Sequence, residues 1–215
     1  LLDIITSDKL VKTSYMTISV DGGDDKSYNL AHNLSLKVKL YNRVIENIKK
    51  ITSISKLKKV RLDISANYLI TKKNCAKDEV FNGIKDLVNA GVDSVRFSFP
   101  QLPRGTDSYT DTIIPNREEV RKIYTEIKPV IDEFKDSETK VVLIDYDADK
   151  EINDARTLPC FSRFIYPAIS YDGYLSNCSQ SAATNFRNMS LGNLQNTDFW
   201  DAFYDYDEKD IYNFM

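Results

Sequence analysis

The sequence predicts an α/β fold, a parallel sheet layered with helices and followed by a small α+β appendage. Three observations carry that prediction. Runs rich in β-forming residues alternate with runs of helical spacing three times between residues 15 and 131, and a fourth apolar run closes the series at 141–145. The connections are short, which favours parallel strands joined by right-handed crossovers, in an open sheet or in part of a (β/α) barrel. Beyond residue 159 the pattern changes to two short alternating stretches around an Asp-Gly pair, the signature of a β-hairpin.

Each element follows from its residues. Tyr15-Met16-Thr17-Ile18-Ser19-Val20 is a strand closed by Asp21-Gly22-Gly23, and a loop leads to a helix in which Leu36, Leu40, Val44, Ile48 and Ile51 recur at helical spacing. Residues 60–70 read as a second strand. Val80, Phe81, Ile84, Leu87 and Val88 mark the next helix, stopped by Gly91. Residues 94–99 form a third strand, a loop carries Pro100, Pro103 and Gly105, and Asn116 with Glu119 makes a capping box for a helix bearing Val120, Ile123, Ile127 and Ile131. Residues 141–145 supply the fourth strand. The layer spans residues 1–150; residues 147–159 read as a polar linker, and 151–215 hold the hairpin and a short helix at 198–204.

Composition narrows the functional classes. A chain of 215 residues with 42% hydrophobic and 28% charged residues can bury a sizeable core. A net charge of -3 and a pI near 5.3 disfavour nucleic acid and anionic membrane as partners. No run approaches the length of a membrane span and no signal peptide opens the chain, so a cytoplasmic protein is expected. Cys75, Cys160 and Cys178 make no disulfide framework.

Chemistry concentrates in two places. Cys160 and Cys178 bracket the hairpin, with twelve residues before Gly173 and four after it, so the turn brings the second cysteine back toward the first. Two gathered thiolates suit a soft metal or an iron–sulfur cluster; inert core cysteines or, in an exported protein, a disulfide are the alternatives. The second place is the carboxyl end of the parallel strands, where α/β layers collect ligands. Ser19 and Asp21, Ser65 and Asn67, Ser98 and Gln101 lie there. A plain turn and a polar interior would account for them one by one; their shared location favours a site. His32 reads as a surface histidine, Gly22-Gly23 lacks the spacing of a phosphate loop, and Lys49, Lys50, Lys56, Lys58 and Lys59 read as a solvated helix end. Asp145 and Asp147 are either paired carboxylates of a hydrolase or a solvated strand exit.

The segment from Cys160-Phe161 through Asp172-Gly173-Tyr174-Leu175-Ser176-Asn177-Cys178, followed by Leu191-Gly192-Asn193-Leu194 and Phe199-Trp200, resembles the opening of the auxiliary cluster domain, of SPASM or twitch type, of radical S-adenosylmethionine enzymes. Ile18-Ser19-Val20-Asp21-Gly22 is similar to the fourth strand of that family's barrel, residues 41–48 to the helix after it, and Val95-Arg96-Phe97-Ser98 to the sixth strand. The resemblance implies the C-terminal part of a partial (β/α)6 barrel followed by an incomplete auxiliary domain. It implies an enzyme that cleaves S-adenosylmethionine to a 5′-deoxyadenosyl radical and abstracts hydrogen from a peptide, protein or small polar substrate, with an electron-donor protein as a further partner. Ser19, Asp21, Asn67 and Ser98 would then lie near the nucleoside, and Cys160 and Cys178 would hold an auxiliary 4Fe-4S cluster. No Cys-x3-Cys-x2-Cys, the family's motif for the radical-generating cluster, occurs in the sequence. A piece of a longer enzyme, inactive alone, is therefore expected; a non-catalytic binding module that lost its clusters, and a barrel hydrolase using Asp145 and Asp147, are the alternatives.

Overall fold

The computed structural model describes residues 14–59, 62–100, 113–144, 162–182 and 184–205. They fall into two compact units, one of residues 14–144 and one of residues 162–205.

The first unit is α/β. Strands β1 (Ser14–Ser19), β2 (Leu62–Leu69), β3 (Ser94–Ser98) and β4 (Lys140–Leu143) form one parallel sheet in the order β1-β2-β3-β4. Helices α1 (Asp25–Ala31), α2 (Tyr41–Leu57), α3 (Lys77–Ala90) and α4 (Arg117–Asp132) fill the crossovers, and consecutive helices pack side by side. Alternation along the strands sets the two faces of the sheet. Ile64, Ala66, Tyr68, Val95 and Phe97 are buried and share one core with Ile48, Ile84, Leu87, Val120 and Ile127 of the helices. The intervening residues Ser65, Asn67, Ser94, Arg96 and Ser98 stay exposed or half-buried on the opposite face. The helices thus bury one face of the sheet and leave a polar one.

Helix ends follow the chemistry of their residues. Asn116 accepts from the N–H groups of Glu118 and Glu119 while Glu119 reaches back to the Asn116 N–H, the capping box expected from the sequence. Gly91 ends α3 in the left-handed region at φ 78°, as its position after Ala90 predicts. Two boundaries differ. The periodicity starting at Leu36 begins too early, because Leu36 and Val38 are exposed and α2 opens only at Tyr41, whose N–H donates to the Asp25 carboxylate. The stretch expected to be a loop contains α1, capped by Asp24, which takes both the N–H and the hydroxyl of Ser27 while that hydroxyl accepts from the Asp24 N–H. A box closed by serine rather than Glu or Gln, on a seven-residue helix with few apolar residues, lacks the periodic signal by which longer helices are found.

The second unit is a three-stranded antiparallel sheet in the order β5-β6-β7, formed by β5 (Ala168–Ile169), β6 (Tyr174–Ser176) and β7 (Gly192–Asn193), with α5 (Ser162–Ile165) before it and α6 (Phe199–Tyr204) after it. The expected hairpin is present between β5 and β6. Its turn differs from a two-residue Asp-Gly turn: the Gly173 N–H donates to Ser170 O, Gly173 takes φ 85°, and the Ser170 N–H donates to Tyr174 O. That is a three-residue loop closed by a glycine bulge. Leu191-Gly192-Asn193 supplies the third strand, and Leu175 packs with Ala202 and Phe203 in a small core of its own. Arg187 grips the turn, donating from Nε and Nη2 to the two Asp172 carboxylate oxygens at 3.0 and 2.7 Å. The Ser170 hydroxyl, with the Arg187 guanidinium, holds the Asp172 carboxyl below its usual range.

Among the described residues no helix is long and apolar enough to cross a membrane.

Candidate functional site

Parallel pairing brings four of the six strand-end candidates, Ser19, Ser65, Asn67 and Ser98, onto one face. Ser19 lies opposite Asn67, and Asn67 opposite Arg96, which in turn faces Val142. Ser98 stands one step nearer the carboxyl edge, paired with Leu69. The side chains of Ser19, Asn67 and Ser98 make no hydrogen bond to a described residue, so a hydroxyl, an amide and a second hydroxyl project from the polar face beside an exposed guanidinium. Such a set offers donors and acceptors to a polar ligand of modest size. Ser65 is different: the Ser94 hydroxyl donates to it at 2.9 Å across the strands, which gives it a structural bond. Gln101 lies outside the described residues.

Asp21 is placed at the same edge but engaged within the fold. Its Oδ1 accepts the Leu69 N–H at 2.6 Å, bracing the end of β2, and its Oδ2 lies 3.3 Å from His32 Nε2. His32 is therefore no free surface side chain; it packs its ring 4.3 Å from that of Tyr28 and turns its buried Nε2 to the carboxylate, off the line of a hydrogen bond. The signal for this pairing lay in α1, which carries His32 back over the edge of the sheet and was absent from the sequence reading. Burial pushes the Asp21 carboxyl above its ordinary value of 3.8, offset in part by the Leu69 N–H and by His32.

A testable consequence follows for pH dependence. Above 3.8 the folded chain holds the Asp21 proton more readily than the unfolded chain, so this group's stabilising contribution is full below 3.8 and is lost as pH rises through the folded pKa. Asp21→Asn keeps an acceptor for the Leu69 N–H and removes the buried charge. It is expected to raise Tm at pH 7 and to leave Tm near pH 4 little changed, measured by thermal melts; the same shift at both pH values would exclude a titrating Asp21.

Asn74 is the residue that sequence reasoning missed. It is fully buried, accepts from the Thr71 N–H and hydroxyl at 2.6 and 2.8 Å, and donates from Nδ2 to Asp21 O and Leu69 O at 3.0 and 2.9 Å. One amide thus ties the exit of β1 to the exit of β2. A polar residue three positions after Thr71 in a turn was its only sequence signal.

Glycines bring the same edge against α1 and α3. A Cβ on Gly23 would lie 1.9 Å from Glu79 O, one on Gly22 would lie 2.5 Å from Tyr28 N, and one on Gly83 would lie 3.0 Å from Gly22 O. The Gly22-Gly23 pair serves close packing of backbone on backbone.

Of the cysteines, Cys75 is half-buried against the main core and its thiol is pushed up by burial, which keeps it protonated and inert. Cys178 is half-buried at the end of β6, with Sγ 3.8 Å from Ser181 Oγ. Cys160, the partner expected from the hairpin spacing, lies outside the described residues, as do Asp145 and Asp147. Among the described residues, no three His, Cys, Asp or Glu side chains converge as a metal site.

No protein-family model and no curated protein sequence matches the chain. Among solved structures it is similar to SuiB of Streptococcus suis, with a TM-score of 0.58 at 15% identity over 95% of this chain and 45% of SuiB. The likeness extends to SuiB bound to S-adenosylmethionine, with a TM-score of 0.58 at 14% identity over 95% of this chain and 44% of SuiB. For SuiB bound to the precursor peptide SuiA the TM-score is 0.61 at 14% identity, over 99% of this chain and 46% of SuiB. The chain spans less than half the length of SuiB, and at this level of identity the likeness is one of fold.

Proposed function

We propose that this chain is the later part of a radical S-adenosylmethionine enzyme that modifies a peptide, with residues 14–144 forming an arc of a (β/α) barrel and residues 162–205 belonging to an auxiliary-cluster module. The observation that carries the reading is the one-sided layering of the parallel sheet. A doubly wound sheet reverses its strand order partway and places helices on both faces. Here the order is sequential and the helices share a core with one face only, the arrangement that rolls toward a barrel and turns its polar face inward. SuiB, with a like fold, is bound to S-adenosylmethionine in one structure and to a precursor peptide in another, which supports the same cofactor and substrate class for this chain.

The residues present suit that cofactor. Ser19, Asn67 and Ser98 offer hydroxyl and amide groups at the edge where α/β layers bind nucleosides, with their hydrogen-bonding capacity uncommitted to described neighbours. Asp21 contributes by bracing Leu69, and with it the strand that carries Asn67. Cys178, together with Cys160, would supply thiolates to the auxiliary cluster. S-adenosylmethionine bound beside a reduced iron–sulfur cluster supplies hydrogen-abstraction chemistry.

In the intact protein reconstituted under anaerobic conditions, Asn67→Ala is expected to weaken S-adenosylmethionine about tenfold, or ~1.4 kcal/mol, in equilibrium binding, with an unchanged unfolding midpoint. Wild-type affinity in that variant would remove Asn67 from the site. No detectable binding by the wild-type protein would overturn the cofactor reading altogether.

A further inference from the structure

The residues immediately before Cys178 have a shortage of hydrogen-bond partners that the other described residues of their unit lack. Ser176 is fully buried and Asn177 is 9% exposed, yet neither Ser176 Oγ nor Asn177 Nδ2 has a partner. Around them the polar groups are satisfied: the Ser170 hydroxyl bonds Tyr174 O, Arg187 takes Asp172 and Ala182 O, and the Ser181 hydroxyl donates to Cys178 O at 3.1 Å. A buried hydroxyl or amide without a partner is disfavoured and persists in folded proteins where a water, an ion or a ligand takes up the bond.

We propose that Ser176 and Asn177 donate hydrogen bonds to sulfur atoms of the cluster that Cys178 ligates and thereby raise its reduction potential. The inference rests on the proposal above that Cys178 holds such a cluster. Ser176 ends strand β6 and Cys178 is itself extended, at φ -164° and ψ 174°. Two residues of chain reach at most about 7 Å, so the orphaned groups of Ser176 and Asn177 belong to residues within that distance of Cys178. Cluster sulfides and thiolates accept hydrogen bonds, and they accept more strongly in the reduced, more negative state. Donors aimed at them therefore stabilise reduction. Neither side chain ligates iron; both position and tune the group that Cys178 holds.

The test uses the intact protein, prepared without iron and after anaerobic reconstitution with iron and sulfide. The auxiliary cluster is identified as the signal lost in Cys178→Ala, and its midpoint potential is followed by EPR-monitored titration. Ser176→Ala is expected to lower that midpoint, Ser176→Ala with Asn177→Leu to lower it further, and both variants are expected to retain the iron content of the wild type. In the iron-free protein, Ser176→Ala is expected to melt at or above the wild-type Tm, because it removes an unsatisfied hydroxyl. An unchanged midpoint in a fully loaded variant, or a lowered Tm in the iron-free one, would overturn the inference while leaving ligation by Cys178 intact. Iron content and EPR signals unaffected by Cys178→Ala would instead overturn the ligand assignment itself.

Discussion

Asn74→Ala is expected to destabilise the parallel-sheet unit by about 3 kcal/mol, read as a lowered urea midpoint with little change in slope. The side chain is fully buried and makes four hydrogen bonds, two as acceptor from Thr71 and two as donor to Asp21 O and Leu69 O. Alanine leaves the Thr71 N–H and hydroxyl and two carbonyl oxygens without this partner. The loss is larger than one bond because the same amide holds the exits of β1 and β2 together. Asn74→Asp sharpens the test. It keeps an acceptor for Thr71 but sets a carboxylate oxygen against the carbonyls of Asp21 and Leu69, so its damage should exceed that of alanine at pH 7 and ease as the carboxyl is protonated at low pH. A cost below 1 kcal/mol for Asn74→Ala would show that the two strand exits hold without it.

Gly23→Ala is expected to cost about 3–4 kcal/mol or to prevent folding, although it adds only a single methyl group, at a buried position in the loop after β1. The added Cβ would lie 1.9 Å from Glu79 O and 2.7 Å from Glu79 C, atoms of the first turn of α3 that cannot rotate away as a side chain would. Relief requires α3 or the loop after β1 to move, and Gly83 already brings α3 close to Gly22 O. Urea denaturation followed by circular dichroism measures the effect. The opposite result, a variant as stable as wild type, would mean that the loop can withdraw from α3 without loss. Because this loop carries Asp21, a partly folded Gly23→Ala protein is also expected to lose the bracing of Leu69.

What could be foreseen and what could not divides along the range of the interactions. The long helices α2, α3 and α4 and the four parallel strands repeat their apolar residues at the period of their own backbone, so each is written in consecutive residues. The capping box of Asn116 and Glu119 and the stop at Gly91 are equally local. Helix α1 escaped because seven residues held by Asp24 and Ser27 have almost no apolar period to read. His32 was misjudged for the same reason: its pairing with Asp21 exists only once α1 folds back over the sheet edge. The hairpin was legible in alternation and in Asp172-Gly173, whereas its third strand came from a segment 16 residues beyond β6 that has no strand signal of its own.

From its own residues the chain determined the alternation of strand and helix, the parallel layer and the hairpin ahead of Cys178, because these depend on patterns a few residues long. The tertiary structure alone decided which strand-end residues share a face. Register sets Ser19, Asn67 and Arg96 in one row, turns Ser65 into a bonding partner of Ser94 and commits Asp21 to Leu69 and His32. It also decided that Asn74 and Gly23 matter. Their roles arise from atoms brought to within bonding or contact distance by elements far apart in sequence, and the composition of a single segment carries no record of such an approach.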